Sequence, residues 1–190
     1  MRHVCELRIV ILFASGMVFS EACAAESNKF VEQQLEQARA ARMERLKLGA
    51  DATKVLASSD AAAQAKTNAA LAIGQLGYIP GIPVLIKHID VKNPQQLSCE
   101  EDIGSLWPCV RALADLGVAA VPALVRAFAI EMEKDRRKLL HDAILYGKAY
   151  FEAKTYTQGL LSQTNDQAQR KALEELLKLI PEEEKADKKK

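Results

Sequence analysis

The sequence is poor in aromatic residues, which make up 5 % of its 190 positions and include a single tryptophan. Apolar residues still account for 49 % of the chain, so a buried core must come mainly from Ala, Leu, Ile and Val. Ala-rich and Leu-rich sequence of this kind favours closely packed helices. The length suits one domain of ordinary size with a sizeable core.

The chain also lacks an excess of either charge. Its 26 Lys and Arg stand against 25 Asp and Glu, which gives a formal net charge of +1. Binding to nucleic acid or to anionic lipid depends on a strongly cationic surface, and this composition does not supply one. We therefore expect no nucleic-acid partner.

Residues that carry catalysis or bind metals are few and scattered. Outside the N-terminal segment the histidines are His88 and His141, each on a predicted helix and without a nucleophile or carboxylate at a useful spacing. Cys99 and Cys109 have no histidine pair nearby, which disfavours zinc. The glycines fall at helix ends and form no phosphate-binding loop. We expect no enzymatic activity, no metal and no cofactor.

The N-terminus has the layout of a secretory signal peptide. Basic residues in "MRHVCELR" precede the apolar run "IVILFASGMVF", which small residues follow up to Ala25. The run is shorter than the ~20 residues of a spanning helix, and no other apolar run approaches that length. We predict a signal peptide over residues 1–25, a periplasmic or secreted protein, and no stable membrane insertion after cleavage. A permanent anchor and a lipidated Cys23 are the alternatives.

Two stretches of the sequence repeat one pattern. In "AALAIGQLGYIPGIPVLIKHID" and "VRALADLGVAAVPALVRAF", Gly77 aligns with Gly117 at an offset of forty residues, and Pro83 aligns with Pro122. Each copy predicts a helix that ends at glycine, a tight turn, and a second helix with proline in its first turn. Neither helix can cover its apolar stripe alone, so neighbouring pairs must stack.

Weaker signals extend the helical pattern on both sides. The pattern of residues 26–48 predicts a helix that ends at Gly49. A further helix is predicted for "KAYFEAKTYTQGLLSQ". A final helix is predicted for "DQAQRKALEELLKLI", and Pro181 ends it. The run "EMEKDRRKLLH" is interpreted as a solvated face. We predict a helical domain over residues 26–180 and a disordered charged tail over residues 181–190.

The two quoted copies resemble HEAT repeats, specifically the short repeats of phycobilisome-lyase-like proteins with their AA-x-A-L-G-x-L-G and V-P-x-L pattern. The second copy departs from it at Cys109, Val110 and Ala114. The resemblance implies an all-α fold, a short right-handed α-solenoid of three to four helical hairpins. A repeat of about thirty residues would leave an insertion between the copies, which we place in a loop over residues 91–107.

Solenoids of this kind usually bind along the surface of their second helices. The apolar stripes of the two second helices should point inward, which leaves five candidate binding residues outward: Val84, Lys87, His88, Ala123 and Arg126. Lys87 and Arg126 would form a basic pair, although solvated charge is the ordinary alternative. The late aromatic residues Tyr146, Tyr150, Phe151 and Tyr156 fill the core or bind a ligand.

Cys99 and Cys109 are the cysteines that remain after signal removal. In an oxidising compartment we expect them to form a disulfide, which would contribute roughly 3 kcal/mol on the chain-entropy model. Alternatively, Cys109 is a small buried residue, since Ala69 occupies its position in the other copy.

Together these features predict an exported, non-enzymatic protein-interaction module, a HEAT-like scaffold or adaptor whose surface binds a protein partner. The resemblance also implies a bilin lyase or isomerase as an alternative. A third reading is an envelope-maintenance factor within a larger assembly.

Overall fold

The computed structural model describes residues 31–96 and 103–181. The predicted signal peptide, Cys99 and all but the first residue of the predicted tail lie outside these described residues. The chain divides into two units, Met1–Glu44 and Arg45–Lys190. In the first unit residues 31–44 are helical, and all of their side chains are exposed.

In the second unit the regular structure of the described residues is entirely helical, which confirms the all-α class. The helices are α1 (residues 45–57), α2 (Ala63–Gln75), α3 (Ile82–Lys87), α4 (Ile103–Leu106), α5 (Pro108–Leu116), α6 (Val121–Ile130), α7 (Lys134–Tyr146), α8 (Tyr150–Gln163) and α9 (Gln167–Leu179).

The repeated glycines adopt the conformation that the sequence predicts. Gly77 has φ +63° and Gly117 has φ +56°, a backbone region that side chains with a Cβ rarely enter. A short 3-10 turn follows each glycine region, and proline stands in the first turn of both α3 and α6. The prediction of helix, glycine, turn and second helix is confirmed in both copies.

The predicted helix end at Gly49 is wrong. Residues 45–57 are all helical, and Gly49 is buried against the ring of Tyr78, which a Cβ would overlap. The glycine therefore permits a close contact within the second unit and does not terminate the helix.

The segment predicted as an insertion loop contains the short helix α4. Its described ends are tied together, since Asn93 N donates to Leu106 O at 3.0 Å and Asn93 Nδ2 donates to Ser105 O at 3.2 Å. The ammonium of Lys92 lies 5.2 Å from the centre of the Trp107 ring. These contacts fix the start of α5 beside the end of the first helical pair.

The helices of the second unit pack around a shared hydrophobic core. Among the first helices of the pairs, α5 contacts both α2 and α7, and among the second helices α6 contacts both α3 and α8. Helix α9 packs against α6 and α8. Fully buried side chains between these helices include Ile73, Leu85, Leu113, Leu124, Phe128, Leu140 and Leu173. Each such side chain contributes about 1.5–3 kcal/mol through burial.

Pro108–Ile130 is long and apolar enough to cross a membrane by length and composition, with a mean hydropathy of 1.8. The expectation that no other apolar run approaches spanning length was therefore wrong. In the structure Gly117 divides this stretch into α5 and α6, and many of its apolar side chains belong to the core.

Two arginines in the run "EMEKDRRKLLH" are partly buried and bind other helices, so the prediction of a solvated face is wrong for them. Arg136 donates from Nη2 to Ile86 O and Lys87 O at 3.2 and 3.3 Å, and it pairs with Asp90 and Glu131 at 3.0 and 3.1 Å. Helix C-terminal carbonyls lack intrahelical donors, so Arg136 supplies hydrogen bonds that α3 cannot make itself.

Arg137 binds the end of α6 in the same way. Its Nε and Nη2 donate to Glu131 O at 3.1 and 2.6 Å, and its guanidinium lies 5.4 Å from the centre of the Phe128 ring. The two adjacent arginines thus connect α7 to the ends of both earlier second helices.

Candidate functional site

The predicted binding residues lie on α3 and α6 or, for His88, at the end of α3, and α6 packs against both α3 and α8. We define the α3–α6–α8 face as the exposed side of these helices that carries Lys87 and Arg126. Both of these residues are exposed, as predicted. Neither forms an ion pair within the part of the chain that the structure describes.

The other three predicted residues do not project fully into solvent. Val84 and Ala123 are half-buried and pack against the core, because a small apolar side chain on the flank of a stacked helix is covered by the next helix. The sequence predicts that the apolar stripes of the two second helices point inward, and most of their residues are buried. These residues are Leu85, Ile89, Leu124, Val125 and Phe128.

His88 is the capping residue at the C-terminal end of α3 and is half-buried. Its Nε2 is inaccessible to solvent and has no hydrogen-bond partner among the described residues. Burial lowers the pKa of His88, and the positive charges of Lys87 and Lys66 lower it further. At neutral pH the ring is therefore uncharged, so His88 does not add to the charge of Lys87.

A groove of about 460 Å³ lies beside Arg126, between α6 and α8. The Arg126 guanidinium is 5.7 Å from the centre of the Tyr156 ring, a cation–π distance. Phe151 at the rim is 64 % exposed, and Leu160 lines the apolar part. This combination of aromatic rings, one cation and apolar surface is typical of protein-binding hot spots.

Sequence reasoning missed the contribution of α8 to this face. Glu152, Tyr156, Leu160 and Gln163 line the groove, and they are spaced three to four residues apart on one side of the helix. That spacing is visible in the sequence. It does not reveal that the side chains lie beside Arg126, because that position depends on how α6 and α8 pack.

The aromatic residues of the last third divide between core and surface. Tyr150 and Tyr156 pack in part against the core, whereas Phe151 is largely exposed. Tyr146 contacts Arg111, with 3.3 Å between Arg111 Nη1 and the Tyr146 hydroxyl.

Cys109 is a free, fully buried thiol in the structure, at the position the repeat assigns to a small core residue. Burial raises the pKa of the Cys109 thiol to about 12, so it is protonated and a poor nucleophile in the folded protein. Cys99 lies outside the described residues, and the disulfide between the two cysteines stays a prediction.

Groups that could hold a metal ion, with three or more His, Cys, Asp or Glu side chains together, do not occur within residues 31–96 and 103–181. The nearest approach to a catalytic pair is His141 beside Asp142, with Nδ1 and Oδ1 3.6 Å apart. That distance is longer than a hydrogen bond.

Comparisons with known proteins give no relative for this chain. No family model matches it, and neither a curated protein nor a solved structure is significantly similar.

Proposed function

We propose that this protein is an exported, non-enzymatic interaction module, a short right-handed α-solenoid of HEAT-like helical pairs that binds a protein partner. The α3–α6–α8 face is the binding surface. The observation that carries this proposal is the exposed cation of Arg126, which forms no ion pair with the described residues and lines a groove together with Phe151 and Tyr156; Lys87 is a second exposed cation, on the preceding second helix.

The order of helix contacts supports a solenoid. Each first helix contacts the first helix of the next pair, and α6 contacts the second helices on either side of it, as stacked repeats require. The common turn at Gly77 and Gly117 gives the first two pairs the same connection.

The proposed mechanism is geometric. Stacked helices hold the cation of Arg126 and the ring of Phe151 on rigid elements, so little conformational freedom is lost when a partner binds. Lys87 and Arg126 form no ion pair with the described residues, although Glu152 lines the same groove as Arg126, and both cations would attract an acidic patch on that partner. No residue on the face has to change its protonation state.

Site-specific photo-crosslinking in the native host tests the proposed surface. A benzophenone amino acid placed at position 87, 126 or 155 should give discrete crosslinks to one protein, whereas the exposed control positions 75 and 118 should not. The charge reversal Arg126→Glu should remove the crosslink from position 155. Equal crosslinking at all five positions would contradict the proposal.

Export is tested by the N-terminus of the protein recovered from cells. Mass spectrometry should find a chain that begins at Ala25 or Glu26. An intact Met1, or a lipid on Cys23, would show that the segment is retained or processed differently.

A further inference from the structure

A second groove lies between α7 and α9, away from the residues of the α3–α6–α8 face. Both helices pack against α6, α7 beside α5 and α9 beside α8. We call this the α7–α9 groove. It consists of two adjoining hollows of about 470 and 520 Å³, which share Met132, Arg137 and Glu175.

An ion pair separates the two hollows. Arg137 Nη1 lies 3.4 Å from Glu175 Oε2 and connects the two walls. Because Arg137 is also bonded to Glu131 O, this bridge is anchored to the end of α6. A ligand that fills both hollows must therefore pass over this ion pair. An extended or helical segment with two separate apolar side chains could do so, with one side chain in each hollow.

The groove carries exposed apolar side chains at the places such anchors would contact. Met132 is 85 % exposed and Ile130 is 64 % exposed, while Leu179 lies at the far wall with 45 % of its surface exposed. Together with the buried Phe128 at its base, these residues make a local apolar cluster. Exposed apolar clusters with a polar rim mark interaction sites.

The rim of the groove carries a small excess of positive charge once the Arg137–Glu175 ion pair is set aside. Lys134, Lys138 and Lys171 line the hollows and form no ion pair within the described ranges. Among the acidic groups, Glu175 is paired with Arg137, and Asp166 accepts a hydrogen bond from Gln169 N at the start of α9. Asp135 and Asp166 form no ion pair with the described residues, so three lysines face two carboxylates and the lining keeps a small positive excess.

We propose that the α7–α9 groove binds an amphipathic segment of a protein partner, one that carries two apolar anchor side chains flanked by Asp or Glu. The anchors occupy the two hollows on either side of the Arg137–Glu175 pair, and the acidic flanks contact Lys134, Lys138 and Lys171. This site shares no lining residue with the groove beside Arg126. The proposal for the α7–α9 groove is therefore independent of whether the α3–α6–α8 face binds a protein.

Selection from a random peptide library displayed on phage tests the proposal with the purified mature protein. Enriched clones should share two apolar residues flanked by acidic residues. A synthetic peptide with the consensus sequence, labelled with fluorescein, should bind in an anisotropy titration, and its affinity should fall as salt rises.

Charge and shape variants then locate the binding site. Met132→Glu should weaken the consensus peptide at least tenfold, and the double change Lys134→Glu with Lys138→Glu should weaken it and flatten its salt dependence. Val118→Glu, at another exposed apolar position, and Lys47→Glu, at an exposed lysine on α1, are matched controls that should leave binding unchanged.

Several results would overturn the inference. They include a library that yields no acidic apolar consensus, and a consensus peptide that Met132→Glu binds as well as the wild type does. Sedimentation that shows a dimer lost in Met132→Glu would assign the groove to a second copy of this chain. Binding to phosphatidylglycerol vesicles that the double lysine change abolishes would assign the rim to lipid.

Discussion

Arg136 has the most connections of any single side chain described above. Its guanidinium joins the carboxylates of Asp90 and Glu131 to two carbonyl oxygens at the end of α3. Four acceptors from three segments therefore depend on one residue. Its side chain is only 20 % exposed, so water cannot easily replace these bonds.

Replacing Arg136 with methionine should lower the free energy of unfolding by about 2–4 kcal/mol, because the partly buried acceptors lose their donor. Chemical denaturation followed by circular dichroism measures the change. The control Lys54→Met breaks the exposed pair of Lys54 with Asp51 and should cost less than about 1 kcal/mol. Similar losses of unfolding free energy in both variants would show that the partly buried Arg136 network stabilises the protein no more than an exposed ion pair does.

His88 makes stability depend on pH. Burial lowers its pKa from the ordinary value of 6.5, Lys87, Lys66 and Arg136 lower it further, and Asp90 opposes them. The folded protein thus binds this proton less readily than the unfolded chain does. The free energy of unfolding should fall as the pH drops below about 6.5 towards the lowered value.

The variant His88→Leu cannot titrate and should lose this part of the pH dependence. Urea denaturation at several values between about pH 5 and pH 7.5 compares it with the wild type. An NMR titration gives a direct check, since Lys87→Gln should raise the pKa of His88. An ordinary or raised pKa for His88 in the wild-type protein would contradict the assignment.

At the scale of helices, the sequence predicts the helix ends and turns that depend on the backbone preferences of a few neighbouring residues. Gly77 and Gly117 end first helices because only glycine enters their backbone region easily, and Pro83 and Pro122 fit the first turn of the next helices. These signals act over a few residues and are visible in a single sequence.

Other features depend on partners far along the chain. Gly49 has the same local appearance as a helix end, yet contact with Tyr78 determines its role. Arg136 and Arg137 have the spacing of surface residues, but they bind the ends of α3 and α6. The groove beside Arg126 requires α8, whose position no local pattern indicates.

The contact between α2 and α5 can be tested with two glycines in helices. A Cβ on Gly74 would lie 2.7 Å from the Cα of Ala112, so the helices would have to separate, whereas a Cβ on Gly159 meets nothing within 4 Å. Gly74→Ala should destabilise the protein by about 1–3 kcal/mol despite the better helix propensity of alanine.

The matched change Gly159→Ala should stabilise the protein by about 0.5–1 kcal/mol, since α8 gains propensity without a clash. Thermal denaturation of both variants measures the difference. Stabilisation by both changes would mean that α2 and α5 are not packed as closely as described.

At the scale of the whole molecule, Cys109 reports whether the packed helices unfold together. Its thiol is fully buried and its pKa is raised to about 12, so modification requires opening of the core. In reductant, iodoacetamide should label Cys109 only as the helices unfold. The labelling midpoint in urea should match the circular dichroism midpoint.

Peptide mass spectrometry separates Cys109 from Cys99 in this experiment. Labelling of Cys109 at urea concentrations well below the circular dichroism midpoint would indicate that the helical pairs unfold independently of one another, as in a repeat array of low cooperativity. A separate sample that has never been exposed to reductant is denatured and labelled to test the predicted disulfide, because bridged cysteines resist labelling.

The division of Pro108–Ile130 by Gly117 has a consequence for the proposed route out of the cell. A secreted chain crosses the translocation channel unfolded, when this stretch is a continuous apolar sequence that the channel could release sideways into lipid. Asp115 near the middle of the stretch would oppose that release, since a charge near the centre of a membrane helix costs about 2.5–3.5 kcal/mol, and Arg111 and Arg126 nearer its ends would add a smaller cost. If the protein is exported as proposed, the charges that are exposed on the folded helices would also help to keep the nascent chain from stopping in the bilayer.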